Sequence, residues 1–318
     1  MIYQALIINC MNNIVKQYFD KGSFLTVKNK TYAETCLQLF DFQTKSDLIK
    51  NDITSKIIDG KYKDSKASII AKQTGIVAGI EEITYLIKKR TNLKIKIISK
   101  DGVPIKEKDL LVELSGNPLE ILSFERVILN ILQRMSGIAT ATNSLIIKNN
   151  LKTSLSSTRK TLWGLLDKKA VSIGGGLTHR LSLSDEILIK DNHIDIMAKN
   201  LNLTRLESLK KILTFIKSSQ IKRPFEIEVE TEKEAYFLNN FYQKINISAS
   251  LIIMLDNFES NIAARTIKTI NTPSVIFELS GGINESNVND YDRVGADVIS
   301  LGSLTHSSKS LNISLRFI

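Results

Sequence analysis

Residues 153–193 read TSLSSTRKTLWGLLDKKAVSIGGGLTHRLSLSDEILIKDNH. Two short strand-like runs, Thr153–Ser157 and Glu186–Ile189, bracket the stretch, and a cation follows closely after each: Arg159, then Lys190. Toward the C-terminus the same kind of run recurs at Phe225–Val229, Leu251–Leu255, Val275–Leu279 and Val298–Leu301, with helical patterns between. Short apolar strands alternating with helices predict parallel βα units. At or just past the strand ends stand Arg159, Lys190, Glu228 or Glu230, Asp256, Ser280 and Gly302. An α/β barrel collects its chemistry at the C-terminal ends of its strands, and a doubly wound sheet does so too. The spacing alone leaves both architectures open.

Within the quoted stretch, Arg159, Lys160, His179, Arg180 and Lys190 are donors with few acids among them, and Gly174-Gly175-Gly176 interrupts the middle. Two of the three histidines in the chain lie here, His179 and His193, and the third, His306, closes a later motif. Arginine offers a planar fork to carboxylate or phosphate, while lysine and histidine add point charges and further donors. These cations alternate with apolar residues and glycines rather than with acids, so they point to a small, multiply anionic ligand more than to a solvated face. Gly281-Gly282 and Gly302-Ser303 each follow a predicted strand and precede a helical pattern, where backbone N–H groups can approach a phosphate. His193 has Asp191 and Asn192 beside it and reads as structural.

Upstream, Ala67–Ala71 reads as a strand, Glu81–Lys89 as a helix, Leu93–Ser99 as a half-buried strand and Leu110–Leu114 as another, giving a small α/β layer. Asn117-Pro118 has the form of a helix start, and Arg126 is a cation among the apolar residues of that helix. Residues 1–45 read as a helical or loosely ordered lead-in. The tail, Leu311–Phe317, alternates and is expected to return as a strand to the N-terminal layer.

The chain has 318 residues, 43% hydrophobic and 24% charged, as an ordinary globular protein does. No apolar run reaches the roughly 18–20 residues of a membrane span. The apolar start Met1–Cys10 lacks the basic region of a signal peptide. Two cysteines, Cys10 and Cys36, make no disulfide framework, which suits a reducing cytoplasm. The net charge of +10 raises nucleic acid as a partner, yet the lysines are dispersed and no zinc-finger spacing occurs. Attraction of anionic substrates accounts for the same charge, so no nucleic acid and no membrane is expected among the partners.

The segments TRKT, GGGLTHRLSL and ILIKDNH resemble the signature of the quinolinate phosphoribosyltransferase family, as do FERVILNILQRMSGIAT upstream and EIEVE, MLDN, ELSGGI and SLGSLTH downstream. They occur in the family's order over roughly residues 50 to 318. The resemblance implies a truncated (β/α) TIM-like barrel, residues 128–306, beside a smaller α/β sandwich, residues 46–127, joined by residues 307–318. It implies phosphoribosyl transfer from phosphoribosyl pyrophosphate to quinolinate with loss of carbon dioxide. Arg159, Lys160, His179, Arg180 and Lys190 would hold the two ring carboxylates, with Arg126 supplied across the interface of a homodimer or a hexamer of dimers. Lys160 could equally serve the pyrophosphate. Glu228 and Asp256 would accept from the ribose hydroxyls and, with Mg²⁺, stabilise developing charge. Ser280, Gly281, Gly282, Gly302, Ser303 and His306 would bind the 5′-phosphate. Two positions depart from the family pattern: Trp163 stands where a proline is expected, and Ser157-Thr158 where an acid often precedes the motif.

Three rivals remain at this level. A related group associated with molybdenum transport shares the TRK and HRL segments but lacks IKDNH. A Schiff-base aldolase would use Lys190 as nucleophile. A basic nucleic-acid binder would account for the charge but for none of the glycines or acids.

Overall fold

The computed structural model describes residues 13–47, 52–58 and 63–318. The apolar start, Cys10 and Asn51 lie outside the described residues; Cys36 carries a free, buried thiol. In chain order the strands are β1 Ser65–Ala71, β2 Gly75–Ile76, β3 Lys94–Ile97, β4 Pro104–Ile105, β5 Leu110–Gly116, β6 Ser154–Ser156, β7 Ile187–Ile189, β8 Phe225–Val229, β9 Leu251–Asp256, β10 Val275–Ser280, β11 Val298–Ser300 and β12 Ile313–Phe317. The chain folds as two compact units. One comprises residues up to Lys21, Lys148–Thr158 and His179–Leu301, and the other comprises Gly22–Ile147, Arg159–Thr178 and Gly302–Ile318.

The first unit is built on a six-stranded parallel sheet in the order β6-β11-β10-β9-β8-β7. The order runs round a barrel with one seam, since β6 and β7 each have a single neighbour. Every residue of β8 is buried, because a parallel sheet covered on both faces has no solvent side. Helices Asp191–Leu201, Arg205–Ser218, Glu232–Ile245 and Ser260–Ile270 make the crossovers. Thr204 and Thr231 accept from the backbone N–H groups of Glu207 and Glu234 and so start two of them.

Residues 13–19 are helical and belong to this unit. Tyr18 and Phe19 are fully buried. The Tyr18 hydroxyl donates to the Ile187 carbonyl of β7 at 2.8 Å, and the His179 N–H donates to the Phe19 carbonyl at 2.8 Å. Lys21 pairs with Glu186 at 2.6 Å. The lead-in is helical over residues 13–19 and from Lys30 on, with a short turn between, and its first helix is packed rather than loose.

The second unit carries an antiparallel sheet, β12-β1-β5-β3. Ala67, Ile69 and Ala71 point inward with the two-residue period of a half-buried strand. Helix Ile80–Arg90 buries Ile80, Ile83, Leu86 and Ile87, spacings of three and four that lay one face on the core. Helix Lys30–Asp47 belongs to the same unit through Tyr32, Ala33, Cys36 and Phe40. The tail returns as β12 against β1, Ala67 opposite Phe317, as its alternation predicts.

Asn117 caps the next helix, its side-chain oxygen accepting from Leu119 N at 2.8 Å. That helix, Pro118–Lys148, is unbroken. Residues 127 and 128 lie inside it, and near its C-terminal end, at Ile147 and Lys148, the chain passes from one compact unit to the other. The motif residues QRMSG lie mid-helix, where they anchor the tail: the Leu311 N–H donates to the Gln133 carbonyl at 2.8 Å.

Candidate active site

The parallel-sheet unit carries Arg180, Lys190, Glu228, Asp256, Ser280, Gly281 and Gly282; Arg126, Arg159, Lys160, Gly302, Ser303 and His306 belong to the other. In the first, β7 delivers Lys190 directly after its last residue, and the ammonium meets Glu228 Oε2 of β8 at 2.5 Å. Glu228 is 4% exposed. Burial pushes its carboxyl above the ordinary range; Lys190 pulls the other way, and Asp256 adds like charge. Asp256 ends β9, half-buried, and accepts from the Asn257 side-chain amide at 2.6 Å. Two hard-oxygen carboxylates and a cation thus stand at three successive strand ends.

Lys190 also caps helix Asp191–Leu201, and its N–H donates to His193 Nδ1 at 2.8 Å. His193 closes that cap, the structural role its neighbours suggested. Lys190 is an ion-pair partner with a half-open side chain, whereas an aldolase nucleophile calls for a dry, apolar pocket.

After β10, Gly281 has φ +81°, and a side chain there would collide with Asn257. Only glycine fits this turn. In the second unit, Gly302 leaves room for the Lys160 methylenes and the His306 ring, each 3.1 Å from where a Cβ would sit. Thr305 Oγ1 donates to the Lys160 carbonyl at 2.7 Å, so the TRKT and SLTH segments are joined directly. Arg159 and Lys160 are exposed. Arg126 is exposed on the long helix and lines a groove of about 370 Å³ with Leu39, Phe42, Asn130 and Trp163.

Arg180 and His179 are 6% and 5% exposed. The His179 ring does not join the Lys190–Glu228 pair. Its Nε2 lies 3.5 Å from Glu226 and 3.3 Å from Glu278, both buried. Phe19 packs edge-on against the ring at 5.0 Å. The two-residue alternation of β8 places Glu226 on one strand face with Glu228 without telling whether that face meets solvent; the sequence pattern does not bring Glu278 or Tyr18 to it. Glu278 could have been found, since ELSGG places an acid inside an apolar strand two residues before its end. Tyr18 carries no such signal.

This trio is the group among the described residues whose donors converge as metal ligands do. The ring chemistry opposes that use. The Arg180 N–H donates to His179 Nδ1 at 2.7 Å, so the remaining ring proton sits on Nε2, where a metal would need the lone pair. The proton points instead at the two glutamates. Burial, then the charge of Glu278, pushes Glu226 well above its ordinary 4.5. A carboxyl raised in the folded state contributes stability at low pH and loses it as pH rises through the folded value. Glu226→Gln is therefore expected to raise the melting temperature over the parent by a margin that widens as pH rises above the ordinary carboxylate range. A gap between the two proteins that stays constant as pH rises would contradict a protonated Glu226.

A parallel sheet with acids and a cation at its strand ends, and a glycine turn that admits no side chain after β10, is the architecture of an α/β barrel enzyme. Residues 52–136 and 138–316 match the N-terminal and C-terminal domain models of quinolinate phosphoribosyl transferase. The chain belongs to the quinolinate phosphoribosyltransferase family. It is 36% identical over 263 residues to a probable nicotinate-nucleotide pyrophosphorylase [carboxylating] of Archaeoglobus fulgidus, covering 80% of this chain and 95% of that protein. It is 33% identical over 280 residues to quinolinate phosphoribosyltransferase [decarboxylating] 1 of Nicotiana glauca, covering 83% and 77%. The solved nicotinate-nucleotide pyrophosphorylase of Francisella tularensis superposes with a TM-score of 0.75 at 30% identity, over 90% of this chain and 96% of that one.

Proposed function

We infer that the chain transfers the phosphoribosyl group of phosphoribosyl pyrophosphate to quinolinate with decarboxylation, giving nicotinate mononucleotide, pyrophosphate and carbon dioxide for NAD synthesis. The observation that carries this reading is the strand-end set Lys190, Glu228 and Asp256, a cation for a ring carboxylate beside acceptors for sugar hydroxyls.

In this reading Arg159, Lys160, Arg180 and Lys190 orient the dicarboxylate, and a second copy of the chain contributes Arg126. His179, which accepts from the Arg180 N–H, supports Arg180 rather than meeting the ligand. The assembly is a homodimer or a hexamer of dimers. Gly281, Gly282, Gly302 and Ser303 offer backbone N–H groups to the 5′-phosphate, with Ser280 and His306 nearby in sequence. The pyridine nitrogen attacks the anomeric carbon, its lone pair forming the new bond as the bond to pyrophosphate breaks. Glu228 and Asp256 stabilise the positive charge that develops on the sugar. The bond from ring carbon 2 to its carboxylate then breaks, its electrons passing to the cationic ring, and carbon 2 takes a proton from water. No enzyme nucleophile is needed, so the work of this chain's residues is positioning and electrostatics.

Glu228 and Asp256 fit Mg²⁺: both are hard oxygen donors, and their mutual repulsion is what a cation between them relieves. Bound there with pyrophosphate, Mg²⁺ would neutralise charge on the leaving group. No helix among the described residues is long and apolar enough to cross a membrane, and a cytoplasmic setting accords with the free Cys36 thiol. Incubating the protein with quinolinate, phosphoribosyl pyrophosphate and Mg²⁺ is expected to yield nicotinate mononucleotide and carbon dioxide in equal amounts. Absence of product with quinolinate, or product from nicotinate alone, would overturn the reading.

A further inference from the structure

In the family pattern a proline stiffens the loop after TRKT; here the position is Trp163, which leaves φ unconstrained. The structure supplies another source of rigidity. Asp167, fully buried in the first turn of helix Leu165–Ile173, accepts both nitrogens of an Arg134 fork at 2.7 Å each. Its Oδ2 also accepts from the N–H groups of Leu162 and Trp163, each at 3.0 Å. The Arg134 guanidinium lies 5.3 Å from the centre of the Trp163 ring, stacked as a cation over an aromatic face. The same guanidinium donates to the Thr305 carbonyl at 3.0 Å, and the Thr305 hydroxyl donates to the Lys160 carbonyl. One arginine on the long helix therefore grips both the loop that carries Arg159 and Lys160 and the turn that carries Gly302, Ser303 and His306.

We propose that Arg134 is a positioning residue that couples the pyridine-carboxylate loop to the phosphate turn, with the Trp163 ring taking over the stiffening role of proline. The proposal rests on the function assigned above for Arg159, Lys160, Gly302 and Ser303. Because the Arg134 guanidinium is taken up by Asp167, the Thr305 carbonyl and the Trp163 ring, its loss acts on both substrates through the two segments it ties together.

Arg134→Lys keeps the charge beside Asp167 but loses the fork, the stack and the reach to Thr305. Displacing a binding segment by an ångström can cost up to about a hundredfold. The variant is expected to raise KM for quinolinate and for phosphoribosyl pyrophosphate together, each about tenfold, with kcat within about threefold of the parent. Thr305→Val removes the hydroxyl's links to the Lys160 and Gly302 carbonyls while leaving Arg134 in place, and it is expected to raise both KM values in the same direction even if the lysine variant does not fold. Trp163 is the sole tryptophan, so its fluorescence reports the loop with no substrate present: emission should shift to the red in Arg134→Lys. A rise in only one KM, unchanged KM values in Thr305→Val, or unaltered emission in a folded Arg134→Lys would overturn the coupling. A parent protein inactive on quinolinate would instead overturn the assigned function, and the emission test would still decide whether Arg134 holds the loop.

Discussion

Arg159→Ala is expected to lower kcat/KM for quinolinate by about a thousandfold while leaving the melting temperature within about 2 °C of the parent. The side chain is exposed, and surface substitutions of this kind usually change stability by less than about 0.5 kcal/mol. Its loss from the bound complex is another matter, since truncating one partner of a hydrogen-bonded charge pair costs about 2–5 kcal/mol once the pair is desolvated. Arg159→Lys should recover only part of the activity, because an ammonium cannot make the paired hydrogen bonds of a guanidinium fork. Steady-state kinetics against each substrate, with a thermal melt of each variant, makes the comparison. A thousandfold loss accompanied by a collapsed melting temperature would count as a folding defect. Near-parental kcat/KM would remove Arg159 from the substrate-binding set. Arg180 is a poorer subject for the same test, because at 6% exposure its truncation leaves a hole as well as a missing charge.

Glu228→Gln is expected to cost between about a hundredfold and a thousandfold in kcat, the scale of removing one preorganised electrostatic group from a transition state. It should also remove the acid limb of the pH profile that Glu228 sets. The parent needs this carboxyl ionised, and burial raises it above the usual range for a glutamate even with Lys190 beside it. Activity should therefore fall with acidification at a pH above that of an ordinary surface carboxylate. Stability runs the other way for the same group. A carboxyl raised by folding favours the folded state at low pH, and that contribution fades as pH climbs through its folded value. The enzyme should thus lose activity on acidification before Glu228 gives it any reason to unfold. An acid limb unchanged in Glu228→Gln would assign the titration to some other group.

Much of the barrel was legible because a parallel strand buried on both faces spells itself as a continuous apolar run. LIIML and VIFEL locate β9 and β10 almost to the residue. The same physics hid Glu226. A two-residue alternation left solvent open for one face of β8, whereas the enclosed sheet has no such face, and an acid there needs His179 and Glu278 as neighbours. Lys190, Glu228 and Asp256 were readable because they end strands, and strand ends are where sequence order and spatial order coincide. Arg134 and Asp167 could not be paired in advance: 33 positions separate them, and the helix that carries Arg134 looks uniformly structural. A 31-residue helix shows no break in its sequence pattern where one compact unit gives way to the next.

The seam of the barrel bears on how this protein can be trimmed. The family's N-terminal domain model begins at residue 52, a boundary that would leave the helix of residues 13–19 out of a shorter version. Yet Tyr18 and Phe19 roof the imidazole of His179 and brace the last strand on that side. A version starting at that boundary would carry every signature motif yet lose the Tyr18 and Phe19 contacts to the His179 ring and to β7.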